Sequence, residues 1–110
     1  VEATPERFRQ NRTWTSVHTA GDTEVVLVEN VYDPDRSDTT YEVTFLYLIR
    51  RNEGLTIEAD RHTCGLFALR TWLDLLTEVG FVAVQRQEVQ PSGTVDAAED
   101  AGIVLTALRP

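Results

Sequence analysis

The residues best suited to chemistry lie in one run, Glu58-Ala59-Asp60-Arg61-His62, which leads into Thr63-Cys64-Gly65-Leu66-Phe67. On a strand, side chains alternate between faces, so Glu58, Asp60 and His62 would share one face. Two carboxylates beside an imidazole favour its charged form and hold the ring for general acid–base work. The same triplet is also what a solvated strand end looks like, set opposite the Leu55, Ile57 and Ala59 face. Both readings stand at the level of sequence. The second histidine, His18, sits in a strand of hydroxyl residues and reads as surface or interface. Cys64 is the one cysteine. With no basic helix start beside it, it reads as a small buried residue, and it rules out an intrachain disulfide and a four-cysteine zinc site.

Other signatures are missing. None of the six glycines has the spacing of a phosphate or dinucleotide loop, and there is no GxSxG, HExxH or cysteine pair. No metal site is expected. All ten basic residues are arginines scattered among 18 acidic ones, giving a formal charge of −8. That leaves no cationic stripe to track phosphates, so nucleic acid is not an expected partner. No apolar stretch approaches the ~20 residues of a membrane-spanning helix, so no membrane partner is expected either. The lone cysteine fits a reducing cytoplasm. The chain begins at Val1 and holds no methionine, which suggests a piece of a longer polypeptide.

The elements that must position these residues follow from punctuation. Residues 1–12 read as a connector, with Pro5 suited to a short helical turn. From Thr13 onward, β-branched and aromatic runs are broken by AGD, DPDRSD and NEG, which predicts an antiparallel sheet of about four strands over 13–62. In the third strand Tyr41, Val43, Phe45, Tyr47 and Ile49 share one face. Glu42, Thr44, Leu46, Leu48 and Arg50 share the other, which is only half polar. Val26 and Val28 do the same in the second strand, so both faces need cover. A second copy of the chain is the expected partner, forming a homodimer through this sheet.

The period changes after Gly65. Leu69, Trp72, Leu73, Leu76 and Val79 recur at three and four residues, predicting one amphipathic helix over 68–79. Gly80 falls where a left-handed cap would end it, with Phe81 placed for the accompanying apolar contact. A terminal strand–loop–strand over 81–110 follows, its acidic middle reading as a long loop. The fold class is α+β: sheet, helix and a C-terminal β-hairpin in a single domain.

The segment HTCGLFALRTWLDLLTEVGF, His62 to Phe81, resembles the C-terminal half of class I S-adenosylmethionine-dependent methyltransferases. There a histidine, a Leu-Phe pair, a helix and a closing Gly-Phe precede the last two strands. Pro5-Glu6-Arg7-Phe8 is similar to the segment after the strand that ends the central sheet of those enzymes. The strands up to Arg61 resemble the inserted sheet of the sugar N,N-dimethyltransferases of macrolide biosynthesis. Asp60 and His62, Pro91-Ser92-Gly93 and Gly102 match that subgroup in order. The resemblance implies a partial Rossmann-like methyltransferase half that faces a small-molecule acceptor and forms the dimer. The cofactor, S-adenosylmethionine, would belong to a missing N-terminal half, and none is expected on this chain alone, which by itself would be inactive. The loop from Thr94 to Asp100 is longer and more acidic than the family's link. The alternative is a stand-alone ligand-binding or dimerisation domain without chemistry.

Overall fold

The computed structural model describes residue 1, residues 3–89 and residues 102–110. The loop expected between the last two strands, with Pro91-Ser92-Gly93 and Thr94 to Asp100, lies outside the described residues. The chain forms two compact units. Arg9–Gly65 makes one, and Val1–Phe8 with Leu66–Pro110 makes the other.

The first unit is a four-stranded antiparallel meander in the order β1-β2-β3-β4. Its strands are β1 (Thr13–Ala20), β2 (Thr23–Tyr32), β3 (Thr40–Arg51) and β4 (Gly54–Gly65). The β1–β2 turn has two residues, Gly21 and Asp22, between the paired Ala20 and Thr23. Gly21 at φ +60° supplies the positive φ that a primed turn needs to match strand twist. Between β3 and β4 the two loop residues are Asn52 and Glu53, with φ of 51° and 62°. Gly54, the residue that marked this turn in the sequence, is instead the first residue of β4. A glutamate therefore occupies a left-handed position at a local cost of about 1–2 kcal/mol.

The longer β2–β3 connection is held by its own side chains. The Asp33 carboxylate accepts from the Asp35 amide at 3.0 Å, Asp35 from the Ser37 amide at 2.9 Å, and Asp38 from the Thr40 amide at 2.9 Å. These bonds to the chain two residues on are why Asp and Ser populate turns. The bonds from Ser37 also hold the Asp35 carboxyl below its usual range. Gln10, within the expected connector, brackets Asp33: its amide nitrogen donates to the Asp33 carbonyl at 2.6 Å and its oxygen accepts from the Asp33 amide at 2.7 Å.

The second unit holds α1 (Leu69–Glu78) and a two-stranded sheet of β5 (Val82–Val89) and β6 (Gly102–Leu108). α1 packs against β5. The helix ends as expected. Gly80 has φ +100°, its amide donates to the Thr77 carbonyl at 3.1 Å, and the Phe81 amide donates to Leu76 at 3.0 Å. That pair of bonds is a Schellman motif. Val79, expected on the apolar stripe, is the C-cap residue and is exposed. Leu69, Trp72, Leu73 and Leu76 are half-buried, and Phe67 stands edge-on to Trp72 at 6.0 Å. β5 carries an irregularity between Val82 and Gln85, where Ala83 adopts φ 51°. Such a bulge needs one residue in an unusual conformation. The buried apolar residues described are few: Tyr41, Val43, Leu66 and Ile103.

Candidate functional site

Direct partners across antiparallel strands share a face, so the register defines what surrounds the Glu58–His62 run. Glu58 lies beside Tyr47, Asp60 beside Phe45, and His62 beside Val43. In the next row Tyr47 pairs with Leu27, Phe45 with Glu29 and Val43 with Val31. On β1 the same face carries Trp14, Ser16 and His18. The polar row of β4 thus borders an aromatic and aliphatic floor, and the rings touch it. Phe45 meets the His62 imidazole edge-on with centroids 5.3 Å apart, and Phe45 and Tyr47 stack at 6.5 Å.

Asp60 and His62 come together. His62 Nε2 lies 2.9 Å from Asp60 Oδ2, which leaves Nδ1 as the ring nitrogen able to face a ligand. The bond from His62, with a second from the Arg61 amide at 2.8 Å, pulls the Asp60 carboxyl below its usual range. The two side chains are 56% and 60% exposed. An exposed pair of this kind orients the imidazole by fixing which ring nitrogen faces the carboxylate. Glu58 occupies the same row but makes no hydrogen bond or ion pair with the described residues, so the structure pairs His62 with Asp60 alone.

Two features of this face were not read from sequence. His18 Nε2 lies 3.0 Å from Ser16 Oγ, so the opposite edge repeats the motif of a histidine paired with a polar residue two positions away. Three strand spacings, about 14 Å, separate the two edges, too far for both histidines to act on one atom. Arg12 also lies over the Trp14 ring, 5.7 Å from its centroid, an arrangement worth about 0.5–1 kcal/mol at an exposed site. The signal for both was the alternation of β1, which assigns Trp14, Ser16 and His18 to one face once the register is known.

Cys64 is half-buried and free. Among the described residues no group of three or more His, Cys, Asp or Glu side chains is arranged to hold a metal ion. No helix among them is long and apolar enough to cross a membrane.

No family model matches the chain, and no curated protein matches it. Solved structures do. DesVI of Streptomyces venezuelae superposes with a TM-score of 0.69 at 12% identity, covering 98% of this chain and 41% of that one. CalS10, an amino pentose methyltransferase from Micromonospora echinaspora involved in calicheamicin biosynthesis, superposes in its SAM-bound form with a TM-score of 0.66 at 12% identity, covering 94% and 39%. The fold is shared. The chain spans about two fifths of the length of these two structures. The resemblance read in the sequence is thereby met at the level of architecture: a four-stranded antiparallel sheet, one helix and a C-terminal hairpin, as in part of a methyltransferase fold.

Proposed function

We propose that this chain is the substrate-facing and dimer-forming portion of an S-adenosylmethionine-dependent small-molecule methyltransferase, with the cofactor held by a half that this sequence does not contain. One observation carries the reading: almost the whole chain superposes on a SAM-bound methyltransferase, yet it accounts for only 39% of it. The absence of a glycine-rich loop from the sequence agrees with the cofactor being bound elsewhere.

In this reading the aromatic face of the sheet receives the acceptor. Phe45 and Tyr47 supply apolar contact, and His62, oriented by Asp60, positions or deprotonates the acceptor, with Glu58 adding negative charge farther along the row. Transfer of the methyl group leaves a proton to be removed from the acceptor, and a neutral imidazole is the side chain suited to that near neutral pH. The opposite face serves dimerisation. It carries Val17, Val26, Val28, Leu46, Leu48, Leu55 and Ile57, of which Val17 and Ile57 are 62% and 61% exposed. Four strands about 4.8 Å apart and eight residues long present about 500 Å² per copy. Two copies then bury about 1,000 Å², the lower bound for a specific interface.

The test is His62→Ala in a polypeptide that joins this chain to its cofactor half. Turnover is expected to fall by roughly 100-fold, the scale of a positioned acid–base group, with cofactor affinity unchanged. Unchanged turnover with lowered stability would make His62 a structural residue.

A further inference from the structure

Glu29 stands at the centre of the aromatic face. It lies on β2, an interior strand, directly between Trp14 of β1 and Phe45 of β3. Alternation puts Leu27 and Val31 on the same face, before and after it along the strand. A single carboxylate is thus ringed by four apolar side chains, and all five residues are half-buried. Taking a charged group out of water is unfavourable unless it is paired, yet the Glu29 carboxylate has no hydrogen bond or ion pair with any described residue. The other carboxylates of the two interior strands do have partners. Glu24 faces Arg50 at 3.6 Å and Glu42 faces Arg61 at 3.8 Å, both on the opposite face of the sheet.

The neighbours of Glu29 restrict what can satisfy it. Arg12 lies over the Trp14 ring, 5.7 Å from its centroid, and so supplies the positive charge that a ligand cation would otherwise bring to this ring. A purely apolar ligand fails for another reason: covering the floor strips water from the carboxylate and leaves it unpaired. A hydroxyl group meets both conditions. It gives the carboxylate a charge-assisted hydrogen bond without adding a second cation, while the carbons that bear it rest on Trp14, Leu27, Val31 and Phe45. Glu29 and Asp60 are two strand spacings apart, about 10 Å, so this hydroxyl belongs to a different part of the ligand from the atom that His62 faces.

We propose that Glu29 is a specificity-determining residue, whose carboxylate accepts a hydrogen bond from a neutral hydroxyl on the acceptor, remote from the atom that is methylated. The acceptor is then a hydroxylated small molecule with an apolar ring or chain to lie on the floor. This rests on the proposed function for the ligand being a methyl acceptor; the choice of a hydroxyl is argued from Glu29 and its neighbours.

The test uses cyclohexanol, cyclohexanone and cyclohexylammonium, which match in size and differ at one polar group: a neutral donor, an acceptor alone and a cation. Each is titrated into the chain while the Trp14 and Phe45 signals are followed by NMR. Cyclohexanol is expected to bind about tenfold more tightly than cyclohexanone, and Glu29→Leu is expected to abolish that difference. Equal affinities would overturn the proposal, as would a preference that survives in Glu29→Leu or cyclohexanol leaving both signals unmoved. Tighter binding of cyclohexylammonium than of cyclohexanol would overturn it too, since the group read by Glu29 would then be a cation. A second measurement needs no ligand. Because the carboxylate is unpaired in an apolar ring, Glu29→Leu is expected to raise the midpoint of denaturant unfolding; a lowered midpoint would make Glu29 a structural residue. None of these measurements involves methyl transfer, so the hydroxyl site and the enzymatic reading fail independently.

Discussion

Asp60 and His62 form a solvent-exposed pair at the edge of the sheet. Hydrogen bonds from the His62 ring and the Arg61 amide favour the Asp60 carboxylate. A carboxyl group lowered in the folded state contributes stability above its unfolded pKa and loses that contribution as pH falls through the folded value. The Asp60 carboxyl, followed by NMR, is expected to titrate below the ordinary aspartate value of about 3.9 and to move up toward it in His62→Ala. A titration that does not respond to the substitution would mean that the pair is not formed in solution. The alternation of Glu58, Asp60 and His62 was legible, because period two needs no knowledge of neighbours. What lay beside them was not. Placing Phe45 next to Asp60 and His62 requires the β3–β4 register, and that depends on a two-residue turn centred on Asn52 and Glu53, where the sequence pointed to Gly54.

At the scale of elements, Gly80 is the most exposed to test. Nothing lies within 4 Å of where its Cβ would be, so a substitution there is penalised by backbone conformation rather than by crowding. Gly80→Val is expected to destabilise the domain by about 1 kcal/mol or more, measured by equilibrium unfolding. A neutral result would mean that φ +100° is not required to end α1. This cap was readable because Gly followed by an apolar residue is a local signal. The four strands were readable for a similar reason, since AGD, DPDRSD and NEG each contain residues that favour turns. Three features were not. Ala83 sits at positive φ in β5 without any glycine to announce it. β4 continues through Gly65, because Cys64 and Thr63 pair with Tyr41 and Glu42 on a long β3. And residues 1–12, read as a connector, contain both the Val1 bridge to β6 and the Gln10 clamp on Asp33. Long-range pairings of this kind leave no periodic trace.

For the whole molecule, the sheet offers apolar residues on both faces, and the proposed occupants are the acceptor on the aromatic side and a second copy on the aliphatic side. Light scattering on the chain in solution is expected to give about twice the 12.4 kDa protomer mass. A monomer at high concentration would leave Val17 and Ile57 in water and remove the reason for assigning that face to dimerisation. The most direct measurement of the central claim, that the cofactor is held by a half outside this sequence, is a calorimetric titration of the isolated chain with S-adenosylmethionine. No binding heat is expected, because the sequence has neither a glycine loop for the methionine end nor a matched acidic residue for the ribose. Micromolar binding at one site per chain would contradict it and place the cofactor pocket within these 110 residues.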